Sequence, residues 1–132
     1  MKKIIAIDFD GTIIKYDKDA YKKTDLDYEF MPNAEEVIAW INKHFYTILW
    51  TSRCGSGLQY ALKFLDRNGI YFDSILENAP FLDFDTSNKI YADVYIDDHG
   101  LVEINWLKIQ NFLRNKFLDN VEIIVTNVIE GQ

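Results

Sequence analysis

Apolar residues recur along this chain in two alternating rhythms. Short unbroken runs, rich in β-branched residues, read as buried strands: residues 3–8 (KIIAID), 46–51 (YTILWT), 71–76 and 92–97 (ADVYID), with 121–128 (VEIIVTNV) as a fifth. Between them the apolar positions fall at helical spacing. Val37, Ile38, Ile41 and Phe45 give one face to a helix opening at residues 32–36, where Asn33 can cap and Glu36 can complete a capping box. Leu58, Leu62 and Leu65 share a face of a helix over 56–68, which Gly69 ends. Ile104, Leu107 and Leu113 belong to a helix over 103–116. Residues 15–31 are polar and irregular and read as a flap, and 77–88 as a second loop.

Strands alternating with helices predict βαβ units and a mainly parallel sheet. Right-handed crossovers then place helices on both faces, giving a Rossmann-like three-layer α/β/α sandwich in the α/β class. Residues 1–132 form one domain in this reading: there is no repeat, no low-complexity tract and no linker rich in Pro, Gly or Ser.

Composition narrows the setting. Apolar residues make up 48% of the 132 positions, enough for a globular core. No apolar run is long enough to span a membrane, and Asp8 and Asp10 interrupt the N-terminal one too early for a signal peptide. The single cysteine, Cys54, allows no internal disulfide, so a reducing, cytoplasmic setting is expected. A net charge of −7 opposes a broad nucleic-acid-binding surface.

The chemistry collects at strand ends. In a parallel sheet ligands bind beyond the carboxyl ends of the strands. Here the first strand ends at Asp8, the second at Thr51 and the fourth at Asp97-Asp98, with Lys89 just upstream. Phosphoryl transfer needs a nucleophile, charge neutralisation and a proton donor for the leaving group. Asp8 can attack phosphorus to form an aspartyl phosphate. Asp8, Asp97 and Asp98 can hold Mg²⁺ between nucleophile and phosphate dianion. Asp10 can protonate the leaving oxygen and then activate water. Thr51 adds a hydroxyl, and Lys89 a point charge for phosphate and nucleophile. Phe9, Gly11 and Thr12 after the first strand, and Ser52 and Arg53 after the second, are candidate phosphate- or substrate-binding positions. Arg53 suits a remote anion, although a surface ion pair explains it as well.

These motifs, in this order, resemble those of the haloacid dehalogenase superfamily of phosphatases. Ile7-Asp8-Phe9-Asp10-Gly11-Thr12 is similar to its first motif, Ile48-Leu49-Trp50-Thr51 to the second, Lys89 to the third and Tyr95-Ile96-Asp97-Asp98 to the fourth. The resemblance covers residues 3 to about 100. It implies a Mg²⁺-dependent phosphatase with Asp8 as nucleophile and Asp10 as acid and base. The metal would be held by Asp8, the Asp10 backbone carbonyl and Asp98, with Asp97 in support. Residues 15–31 leave room for a flap but not a folded cap, so the chain resembles small capless hydrolases of bacterial and phage type.

Other chemistries fit less well. A cysteine phosphatase using Cys54 would need an arginine six positions on, where Tyr60 stands. A receiver-type signalling domain would need its aspartate near Trp50-Thr51. A phosphotransferase, a phosphatase acting on a nucleic-acid 3′-phosphate and a non-catalytic phosphate-binding module share the same residues. His99 and the flap lysines read as solvated groups. The expected partner is a small phosphorylated substrate, and a homo-oligomer could shield an open site.

Overall fold

The computed structural model describes residues 2–99 and 103–118. It contains β1 (Ile4–Ile7), α1 (Ala34–His44), β2 (Tyr46–Leu49), α2 (Gly55–Arg67), β3 (Ser74–Ile75), β4 (Val94–Ile96) and α3 (Trp106–Phe117). Two single 3₁₀ turns, Ala20–Lys22 and Asp25–Asp27, lie in the flap. The four strands are all parallel, in the order β3-β2-β1-β4. No described helix is long and apolar enough to cross a membrane. The run 121–128, expected as a fifth strand, lies outside the described residues.

Every residue of central β1 is buried, because both of its faces are covered. The two coverings differ. Ile5, Ile7 and Leu49 join one core with Val37, Ile38 and Ile41 of α1, Ala61, Phe64 and Leu65 of α2, and Trp106 and Leu113 of α3. Ile4, Ala6 and Ile48, on the other face, pack against Ala79, Ile90 and Ala92. The expected second helical layer is therefore absent among the described residues, and irregular chain takes its place. Topology explains the sides. The path β1-α1-β2-α2-β3 steps one way across the sheet, so right-handed crossovers put α1 and α2 on one face. The connection from β3 to β4 must return across the other. Its Pro80 and clustered Asp and Asn carry no helical period. Asn78 organises it instead, donating to Thr86 Oγ1 (2.8 Å) and accepting from the Tyr91 amide (2.8 Å).

Three local expectations are corrected. Asn33 adopts a left-handed backbone (φ 65°) and makes no side-chain cap, so the box with Glu36 does not form. An N-cap side chain needs an extended backbone to reach the first free amides. The third helix starts at Trp106, capped by Asn105 Oδ1 accepting from the Lys108 amide (3.0 Å). Trp106 and Leu113 are its buried positions, while Leu107 faces solvent and Ile104 precedes the helix. The third strand shrinks to two residues, since the Asp73 carboxylate, in place of ladder backbone, accepts from the Thr47 amide (2.8 Å). Gly69 does end α2 with a positive φ of 72°.

Register positions the chemistry. Ile7 lies level with Leu49 on one side and Ile96 on the other. The ladder continues one step, with the Asp8 amide donating to Ile96 (2.9 Å) and the Trp50 amide to Ile7 (2.8 Å). Asp8, Trp50-Thr51 and Asp97 consequently leave the sheet at the same edge.

Candidate active site

Beyond that edge a cavity of about 320 Å³ is lined by Asp8, Asp10, Thr51, Ser52, Asp97 and Asp98, together with Tyr16, Trp50 and His99. Its carboxylates come from the ends of two strands and from the turn after β1. That turn winds around one carbonyl: Phe9 accepts from the amides of Thr12 (3.2 Å), Ile13 (2.9 Å) and Ile14 (3.2 Å). Gly11 makes it possible with φ 73°. A Cβ there would stand 2.1 Å from Asp98 Oδ2, so the position also lets the β4 end come close. Thr12, fully buried, clamps the two loops. Its Oγ1 accepts from the Asp98 amide (3.1 Å), and its carbonyl accepts from Trp106 Nε1 (2.8 Å). At the neck of the flap the Lys15 amide donates to Glu29 (2.8 Å) and the Met31 amide to Ile13 (2.8 Å).

Asp8 is held in an acidic, half-buried setting. Its carboxyl is pushed up to about 7, first by burial and then by the charges of Asp97 and Asp98, against the pull of a hydrogen bond from the Phe9 amide. Asp8 and Asp98 line the same cavity. Asp98 Oδ1 is buried with no hydrogen-bond partner. Among the described residues the nearest basic side chain is that of His99, with Nε2 at 3.7 Å, too far for a hydrogen bond. Asp97, Asp98 and His99 each offer a ligand atom within 4.8 Å of the others. A buried, unpaired carboxylate oxygen beside two more carboxylates is costly unless a cation meets it. This mainly oxygen donor set fits a hard divalent ion such as Mg²⁺ better than a softer metal.

Asp10 points elsewhere than the other acids. Both of its oxygens accept from Arg53: Oδ2 from Nε (2.7 Å) and Oδ1 from Nη2 (2.6 Å). Arg53 Nη1 donates to Tyr28 Oη (2.8 Å) and to the Gly57 carbonyl (2.9 Å). Its guanidinium lies 4.9 Å from the ring centres of Phe9 and Tyr28. Burial would lower the pKa of Arg53, but the hydrogen bonds and charge of Asp10 outweigh it and raise it further.

The predicted residues are thus partly gathered and partly not. Asp8, Asp10, Thr51, Ser52, Asp97 and Asp98 line the cavity. Phe9 and Thr12 do not, because their side chains fill the core and the loop clamp. Arg53 is neither a free anion-binding group nor an exposed surface pair. Lys89 is exposed with its Nζ 4.9 Å from the Tyr95 ring centre, and among the described residues no lysine or arginine lines the cavity. Tyr16 lines it without a sequence signal, since it belongs to no motif, and Trp50 entered the second motif only as part of the apolar run before Thr51. His99 lines it too, and its place directly after the acidic pair was the available clue.

No protein-family profile matches the chain, and no curated protein does. Among solved structures it is similar to a conserved protein from Bacteroides thetaiotaomicron, with a TM-score of 0.73 and 28% sequence identity over 88% of this chain and 93% of that one.

Proposed function

We propose that this chain is a phosphomonoesterase of the haloacid dehalogenase type, with Asp8 as nucleophile and Mg²⁺ as cofactor. The observation that carries the reading is the convergence of Asp8, Asp10, Asp97 and Asp98 on one cavity, where Asp98 Oδ1 is buried without a hydrogen-bond partner and, among the described residues, no lysine or arginine lines the wall. Such a cavity repels a phosphate dianion unless a cation enters with it. Asp8, Asp97, Asp98 and the Asp10 carbonyl would hold Mg²⁺, which would supply that neutralising charge.

In the first half-reaction an Asp8 oxygen forms a bond to phosphorus as the bond from phosphorus to the leaving oxygen breaks. The leaving oxygen departs as an alcohol with a proton from Asp10. In the second, water attacks phosphorus, Asp10 takes its proton, and inorganic phosphate leaves with Asp8 restored. The Arg53 fork occupies both carboxylate oxygens of Asp10. Proton donation in the first half-reaction requires that fork to open. Thr51, whose Oγ1 accepts from the Arg53 amide (3.1 Å), has a hydroxyl free to donate to a phosphate oxygen.

The test is turnover of an aryl phosphate with and without Mg²⁺. Activity is expected with the metal and is lost in Asp8→Asn. Full activity in that variant would remove Asp8 from its role.

A further inference from the structure

A second cleft, of about 560 Å³, opens from the acidic cavity and shares Asp10, Tyr16, Ser52 and His99 with it. Its other walls come from the flap and from the first turns of α2. Three features decide what fits there.

Its cations are already used. Arg53 is committed to Asp10, Tyr28 and the Gly57 carbonyl, and Lys23 is paired with Asp17. A second phosphate or carboxylate entering this cleft meets no unpaired lysine or arginine among the lining residues. Its carboxylates are used too, since the same two pairs occupy Asp10 and Asp17. A sugar recognised by its hydroxyls needs such acceptors free. What the cleft does offer is ring surface. Tyr16 (72% exposed) and Tyr21 (80% exposed) stand on the flap, opposite Tyr60 on α2. Neither flap ring packs against another described aromatic ring, and the Tyr21 ring centre has the Lys22 ammonium 5.4 Å away.

Resting on the phosphatase reading above, we infer that the leaving group carries a flat, uncharged ring held by these tyrosines, and that the substrate class is the nucleoside monophosphates. The single phosphate enters the acidic cavity. The base stacks between flap and α2, where ring faces supply binding without charge. The hydroxyls of Ser52 and Ser56 lie along the cleft that joins the two ends.

The experiment compares a nucleoside monophosphate, the corresponding 3′,5′-bisphosphate and glycerol phosphate. Two readouts are used: kcat/KM with Mg²⁺, and equilibrium binding to the Asp8→Asn protein by calorimetry. The monophosphate is expected to exceed glycerol phosphate by about tenfold in both, a magnitude usual for one aromatic stack, and the bisphosphate to fall below the monophosphate. Tyr21→Ala and Tyr60→Ala should each bring the monophosphate-to-glycerol-phosphate ratio down several-fold, and Tyr21→Phe should keep it. A ratio near one, a ratio unmoved by both alanine variants, or preference for the bisphosphate overturns the inference. Absence of any turnover with all three substrates overturns the hydrolase reading, while the binding comparison still judges the ring subsite.

Discussion

Arg53 grips Asp10 through both carboxylate oxygens, at 2.7 and 2.6 Å, although 43 positions separate them in the chain. The Arg53 side chain is 11% exposed and that of Asp10 34%, so the pair is shielded without being sealed. The two residues act as one unit. Arg53 is itself oriented by Tyr28, by the Gly57 carbonyl and by the Phe9 ring, and it passes that order to the proposed acid and base of the reaction.

Breaking this fork should cost stability. Arg53→Met is expected to destabilise by about 1–3 kcal/mol, since it strands a half-buried carboxylate. A double-mutant cycle with Asp10→Asn, read by urea unfolding, should give a coupling above about 1 kcal/mol. Additive unfolding energies would show that the pair is not coupled.

Gly11 admits no side chain. Gly11→Ala would force a Cβ to within 2.1 Å of Asp98 Oδ2 on a backbone with φ 73°. Strain and overpacking together should cost at least about 2 kcal/mol. The displaced Asp98 should also weaken Mg²⁺ binding. Thermal melting with and without Mg²⁺ measures both effects, and a variant with unchanged melting would contradict the close approach.

Asp8 sets a pH dependence for the metal-free protein. Its folded pKa, about 7, lies above the 3.8 of the unfolded chain. The folded state therefore binds this proton more tightly, and its stability falls as pH rises between about 4 and 7. Above that window the loss is complete. Asp8→Asn removes the charge and should stabilise the metal-free protein at pH 8 by about 1–2 kcal/mol, after allowance for solvent screening. The gain should vanish near pH 4. Melting curves in a chelator at both pH values measure it, and an equal gain at both would assign the effect to something other than ionisation.

Mg²⁺ should stabilise the folded chain. At a hundred times its dissociation constant the gain is about 2.7 kcal/mol, several degrees in melting temperature for a domain of this size. Asp98→Asn should lose most of that gain, because Asp98 Oδ1 is the buried oxygen without a partner. Lys89→Ala should leave it intact, since Lys89 lies outside the cavity. A Mg²⁺ shift preserved in Asp98→Asn would place the ion elsewhere.

Much of the sheet and the acidic half of the site could be read before any coordinates. Short β-branched runs have one stable use between amphipathic helices, and parallel pairing must bring their carboxyl ends to one edge. Asp8, Thr51, Asp97 and Asp98 follow from that rule, as does Gly11 at a turn. Among the described residues the second helical layer does not appear, because crossover handedness chooses a side of the sheet but does not make a Pro- and Asp-rich return segment helical.

Period and motif, which act over a few residues, sufficed by themselves to determine the α/β class, the parallel sheet and the order of the acids. Contacts between distant segments decided the rest. They gave Asp10 to Arg53, buried Thr12 as the clamp between Asp98 and Trp106, put Lys89 against Tyr95, and set Tyr16 and Tyr21 over the cleft. The physical reason is range. Strand and helix patterns are written in neighbouring residues, whereas a side chain's partner depends on which loops the folded sheet carries to the same place.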